Sequence, residues 1–215
     1  MDILANASHF YTEFMKYEFT FIFGDKKRNQ HIINIVAKSE HFPHVVGLDK
    51  LKDIKGSIYK NHNKDQIING IENGGITISQ LEKSSHYTHE ELEHSVEKRI
   101  EFLPFLMPII NFGLNKEEVT FNFIKNRAYS KIDAEYLIRF KIINDSQEYY
   151  LNLFLKKDKL SANYIPISFF PRIDQKYEKS QTRLTLLYKS RKAINITEEL
   201  YIREGFIPDD LDNEK

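Results

Sequence analysis

Apolar positions recur every three to four residues over most of the first half of the chain and every second residue over most of the second half, which divides it into a helical part and a sheet part. Residues 3–15 set Leu4, Ala7, Phe10, Tyr11, Phe14 and Met15 on one stripe, the pattern of an amphipathic helix with one buried face. The period then falls to two. In Glu18-Phe19-Thr20-Phe21-Ile22-Phe23 three phenylalanines share a face, Gly24-Asp25 opens a polar connection, and residues 31–36 form a second, β-branched run, so a hairpin is expected. Pro43 and Gly47 punctuate the next stretch: Pro43 fixes its own φ and biases Phe42 away from helix, while Gly47 is free to take a positive φ. The expectation is a sharp strand-to-helix corner over 41–51, with a short helix over 48–54.

Further on, Asn63 with Gln66 and Thr77 with Gln80 have the spacing of capping boxes, the first for a helix ending near Gly74-Gly75. Thr88 as N-cap, Glu91 at the third position and an apolar line of Leu92, Val96, Ile100 and Leu103 give the strongest helix pattern; Pro104 limits it, and 105–112 is apolar enough for a second, kinked segment. From Val119 the runs 119–123, 136–142 and 149–155 alternate, with turn chemistry at Asn144-Asp145-Ser146 and Lys157-Asp158-Lys159. Runs 164–170 and 183–188 bring the total to about five strands joined by short polar links, hence antiparallel, and no βαβ alternation appears. The fold class expected is α+β, with helices of the N-terminal half packed on an antiparallel sheet built mainly from the C-terminal half. Residues 1–207 read as one domain and 208–215 as an acidic flexible tail.

Composition narrows the function classes. The chain has 215 residues and no cysteine, which excludes a disulfide framework and a thiolate zinc site and fits a reducing, cytoplasmic setting. No basic-then-apolar leader and no run of about 18 apolar residues occurs, so neither export nor membrane spanning is expected. Net charge is zero, but unevenly spread: residues 119–193 hold 15 Lys or Arg against 7 Asp or Glu, and residues 198–215 hold 7 acidic against 2 basic. A basic body can attract a polyanion; the plain alternative is a sheet with a lysine-rich solvent face.

Several site signatures are absent: no phosphate-binding glycine loop, no Gly-x-Ser-x-Gly and no His-Glu-x-x-His. His89 and His94 are five apart, a spacing that does not align two ligands on a helix, so 87–94 reads as a solvated helix face and no metal site is expected. Cleavage of RNA without metal needs a base for the 2′-hydroxyl, an acid for the leaving oxygen, and cations for the phosphate. Histidine serves either proton role near neutral pH, lysine and arginine supply charge, and a tyrosine can act if a neighbouring cation lowers its pKa. The chain offers His44 and Lys50 at the corner, and Tyr177, Gln181 and Arg183 around the last strand; Ser168, flanked by apolar residues facing the other way, reads as a hydrogen-bonding group and not a nucleophile.

The run His44-Val45-Val46-Gly47-Leu48-Asp49-Lys50-Leu51, placed soon after a hairpin, resembles the His-x-x-Gly-Leu-x-Lys-Leu signature of a phage-associated family in the barnase, EndoU, colicin and RelE-like (BECR-type) nuclease group. Pro166-Ile167-Ser168-Phe169-Phe170, followed by Tyr177 and Gln181, resembles that family's Pro-x-Ser-Phe strand and Tyr-x-x-x-Gln element, and together the two cover about residues 17–191. The resemblance implies a BECR-like fold and a metal-independent endoribonuclease acting on RNA without a cofactor. It also implies a toxin or phage-defence role, with an antitoxin or immunity protein as partner. His44, Lys50, Tyr177 and Gln181 would then be catalytic, with Ser168 binding substrate; Arg183 joins it as a substrate-binding candidate on its proximity and charge alone. The alternative is a non-catalytic nucleic-acid- or protein-binding module on the same fold; only the enzyme requires His44 near a phosphate-binding cation.

Overall fold

The computed structural model describes residues 2–60, 62–112 and 118–208; the acidic tail expected at the C-terminus falls, from 209 on, outside them. Helix α1 (Ile3–Phe14) starts where the Asp2 side chain accepts a hydrogen bond from the Leu4 amide, and it buries Leu4, Ala7, Tyr11 and Phe14. Strands β1 (Glu18–Gly24) and β2 (Gln30–Val36) pair antiparallel, Phe21 opposite Ile33, as the alternation requires. A 3-10 turn (Ser39–His41) then leads into α2 (Phe42–Val45). Phe42 is helical here, with φ −50° and ψ −49°, against the bias of a residue before proline. Pro43 falls in the first helical turn, where its missing N–H has no partner to lose, and Phe42 is fully buried with its ring 5.3 Å from that of Tyr11. Gly47 has the expected positive φ, 79°, but only Leu48–Lys50 continues, as one 3-10 turn in place of a helix over 48–54.

Three short helices follow: α3 (Lys55–Ile58), α4 (Ile67–Glu72) and α5 (Ile78–Leu81). Both capping boxes form, Asn63 with Gln66 and Thr77 with Gln80. The next helix departs from the sequence expectation. α6 (Val96–Phe102) is capped by Ser95, whose hydroxyl accepts from the Lys98 amide, and Thr88 caps nothing because residues 88–94 fold as turns. After a 3-10 turn containing Pro104 comes α7 (Leu106–Phe112).

The strands β3 (Val119–Asn122), β4 (Tyr136–Asn144), β5 (Gln147–Lys157), β6 (Tyr164–Arg172), β7 (Thr182–Ala193) and β8 (Ile196–Ile202) join the N-terminal hairpin in one sheet of order β1-β2-β6-β5-β4-β3-β7-β8. β1 also pairs with β7, so the hydrogen-bonded neighbours run from β1 round to β7 and back to β1. Among the described residues every pairing is antiparallel except the single bridge Ile35 to Tyr164 between β2 and β6. The α+β class and the placement of helices and sheet are as expected, but β8 has no counterpart in the sequence reading. Almost all of it is exposed, so it lacks the apolar run by which the other strands announce themselves.

One sheet face carries the main core, where Phe19, Phe21, Ile138, Phe140, Leu153 and Phe169 meet the helices. The other carries a smaller cluster of Phe121, Phe123, Leu137, Phe154, Phe170 and Tyr177. The site lies where β6 separates these clusters. Among the described residues no helix is long and apolar enough to cross a membrane.

Candidate active site

A cavity of about 770 Å³ opens beside β6, lined by the corner (His44, Gly47, Asp49, Lys50), the 91–94 turn, Arg99, the segment 129–133, and Ser168, Phe170, Lys176 and Tyr177. Arg99 builds it. This arginine stands in the apolar line of α6 between Val96 and Leu103 and is 2 % exposed. Its Nη1 donates to the Val45 carbonyl (3.2 Å) and to Ser168 Oγ (2.8 Å), while Nε and Nη2 both donate to the Glu93 carbonyl (3.2 and 2.6 Å). The guanidinium lies 4.6 Å over the Phe170 ring. One cation thereby ties the corner, the 88–95 turn and β6 together. Burial lowers its pKa to about 10, so it stays charged at neutral pH. Gly47 makes room for it: a β-carbon there would come within 2.9 Å of Arg99 Cδ, in a backbone conformation that already favours glycine.

Glu93 is the second hub. Its carboxylate meets Arg172 Nη1 at 2.9 Å and Lys176 Nζ at 3.2 Å and accepts the Tyr177 hydroxyl hydrogen. Burial works to raise its pKa, but the Tyr177 bond together with Arg172 and Lys176 brings it below the usual carboxylate range. Tyr177 packs edge-on against Phe154 with centroids 5.1 Å apart. Burial, and then the Glu93 hydrogen bond and charge, push its phenol well above the ordinary value, despite Arg172 and Arg99. A tyrosine acting through its hydroxyl would need a neighbouring cation to lower that pKa; here the Glu93 carboxylate works the other way, and Tyr177 donates to it and orients it.

Two histidines face the cavity, each set by a partner. His44, on α2 and about half exposed, has Nδ1 2.7 Å from Asp49 Oδ2 and Nε2 2.8 Å from Lys64 Nζ. An ammonium against Nε2 calls for a lone pair there, which puts the proton on Nδ1 toward Asp49. Burial lowers the His44 pKa; Asp49 opposes this and Lys64 and Lys55 add to it. Asp49 stays ionised because the Lys55 hydrogen bond and the charges of His44, Lys64 and Lys55 outweigh its own burial. His94 Nδ1 lies 3.1 Å from Lys50 Nζ, and its Nε2 lies 3.3 Å from Glu93 Oε1. Lys50 also donates to the Glu93 carbonyl at 3.1 Å. Burial, with Arg99 adding to it and Glu93 opposing, lowers the Lys50 pKa to about 8.

His44, Lys50, Ser168 and Tyr177 therefore line one cavity, although they come from the corner, β6 and the 3-10 turn Lys176–Glu178. Ser168 serves there as an acceptor for Arg99. Gln181 and Arg183 do not line it. Gln181 clamps the Ile124 backbone, accepting from its amide at 2.8 Å and donating to its carbonyl at 3.1 Å, and Arg183 is exposed on β7 opposite Phe121. Asp49, Glu93, His94 and Arg99 escaped the sequence reading. Arg99 left a signal, a charge inside an apolar helical stripe, whereas Glu93 and His94 were hidden by the helix expected over 88–94. Glu91, Glu93 and His94 bring ligand atoms within 4.8 Å of one another. Both Glu93 oxygens are already engaged by cations and a phenol, with Lys50 and Arg99 beside them, which disfavours a divalent ion.

The cavity thus gathers His44 and His94, each with a carboxylate neighbour, together with Lys50 and the buried Arg99. The family model described as phage-Barnase-EndoU-ColicinE5/D-RelE like nuclease4 matches residues 3–204, and the chain belongs to that nuclease family. Searches of curated proteins and of solved structures found no match.

Proposed function

We propose that the chain is a metal-independent endoribonuclease that cleaves RNA by attack of the 2′-hydroxyl on the adjacent phosphate. The observation that carries this reading is the pairing, in one cavity, of a histidine oriented by a carboxylate with a lysine whose pKa is lowered to about 8. His44 Nε2 takes the 2′-hydroxyl proton once substrate displaces Lys64; Asp49 holds the ring and balances the imidazolium. The 2′-oxygen bonds to phosphorus, the bond to the 5′-oxygen breaks, and Lys50 gives that oxygen its proton, leaving a 2′,3′-cyclic phosphate and a 5′-hydroxyl. Lys64, near His44, and Lys176 supply positive charge for the phosphate. Lys50 regains its proton from solvent, and His94 Nδ1 holds it in place.

The test is cleavage of a short oligoribonucleotide in chelator, with analysis of the ends. Cyclic phosphate ends, and no cleavage where the scissile nucleotide is 2′-deoxy, support the reading. Cleavage of DNA, or activity lost to chelator, overturns it. From the phage association in the family's description we also infer a toxin or defence-effector role, with an antitoxin or immunity protein that covers the cavity. Induced expression should arrest growth, and His44→Ala should relieve the arrest.

A further inference from the structure

The far wall of the cavity is a loop that the proton-transfer chemistry leaves unused. After the 3-10 turn Lys125–Ala128, Tyr129 takes a left-handed conformation, φ 48° and ψ 39°, and its side chain is 95 % exposed while still lining the cavity. Such a residue gains nothing from burial, and the left-handed region is strained for anything but glycine, asparagine or aspartate. The loop that holds it is nevertheless firmly tied. Gln181 grips the Ile124 backbone from both sides, Arg127 donates to the Ser180 carbonyl at 2.9 Å, and Asp133 pairs with Lys125 at 2.9 Å and with Lys156. Ala128, just before Tyr129, is buried in the second apolar cluster. Beside Tyr129 the wall is Ile132 and Ile167, each only partly buried.

We propose that Tyr129 is a base-stacking position: its ring receives a nucleobase of single-stranded RNA next to the scissile phosphate, with Ile132 and Ile167 as the apolar floor and Lys131 on the flanking phosphate. This rests on the ribonuclease reading and adds to it the form of substrate, an unpaired strand with a splayed base. An aromatic face held on a rigid loop at the lip of a cationic pocket is what stacking requires, because every base offers a π-face and only unpaired bases can leave their own stack. It also gives Gln181 its part. Four residues after Tyr177 aims Glu93, Gln181 fixes the opposite lip, making it a positioning residue for Tyr129.

The chain contains no tryptophan, so Tyr129→Trp places a single indole emitter at this point. In a His44→Ala background, in which cleavage should fall about 10²- to 10⁴-fold, this variant is titrated with a short oligouridylate while a labelled end reports binding by anisotropy. The indole emission should be quenched as RNA binds, but not by an abasic ribose-phosphate oligomer of equal length. Tyr129→Ala should bind about tenfold more weakly and Tyr129→Phe within about twofold of the parent, in line with the usual worth of one stacked base. Binding with unchanged indole emission, and undiminished affinity in Tyr129→Ala, would overturn the stacking assignment while leaving the ribonuclease reading intact. Failure of every variant to bind RNA would overturn both.

Discussion

Arg99→Met separates the role of the buried cation from that of its volume. Methionine keeps much of the side-chain bulk over Phe170 but removes all four donated hydrogen bonds. The Glu93 carbonyl keeps Lys50 as donor, so the acceptors stranded are the Val45 carbonyl and Ser168 Oγ. A buried acceptor left without a partner costs about 1–3 kcal/mol, partly offset because the guanidinium no longer has to be held out of water; the net loss expected is about 2–4 kcal/mol. For a chain of this size that is a fall in Tm of roughly 5–15 °C. Arg99 also depresses the Lys50 pKa, so its loss should move the alkaline limb of the pH–rate profile upward. The assays are a thermal melt and initial rates of oligoribonucleotide cleavage across a pH range spanning both limbs. A variant as stable as the parent with an unmoved alkaline limb would refute the view that Arg99 organises the site.

Other expectations concern single groups. The cleavage rate should rise as His44 deprotonates, with a midpoint below the usual histidine value because burial and two lysines depress it, and should fall above about pH 8 as Lys50 loses its proton; Lys50→Arg should abolish the alkaline fall while lowering the rate, and a profile still rising well above that pH would count against Lys50 as the acid. The same group fixes a sign for stability: Lys50 has a lower pKa folded than unfolded, so its protonation opposes folding below about pH 8, and melts should show this opposition relieved as pH rises from 8 towards 10.5 in the parent but not in Lys50→Met. Gly47→Ala should cost more than Gly74→Ala, because both have positive φ but only at Gly47 would a β-carbon meet Arg99; equal losses of Tm, with activity kept, would remove the close approach as the reason for Gly47. His44→Ala should lower cleavage about 10²- to 10⁴-fold without loss of fold, whereas His89→Ala, outside the cavity, should leave it near the parent value; an unchanged rate in His44→Ala would dismiss it as the base.

How much was legible in the sequence follows from the range over which each interaction acts. The apolar runs of β1 to β7, several of them alternating, the stripe of α1, both capping boxes and the positive φ at Gly47 are settled by neighbours a few residues away, and they could be read from the chain directly. His44, Lys50 and Tyr177 were singled out through short polar motifs set in apolar elements, which register that something is positioned without saying what it touches. The tertiary structure decided the rest. β8 forms because the hairpin from β7 carries it there, with no apolar pattern of its own. Residues 88–94 give up a helix that local propensity favours, because there the Glu93 carbonyl receives Lys50 and Arg99 and its carboxylate receives Arg172, Lys176 and Tyr177. Those partners lie up to 84 positions away along the chain, and no periodicity records a contact at that separation. For the same reason Asp49 could not be told from any other helix-end acid, nor Gln181 from a catalytic amide. A side chain's role depends on which charges and carbonyls reach it, and that is fixed only when the sheet and the helices close around β6.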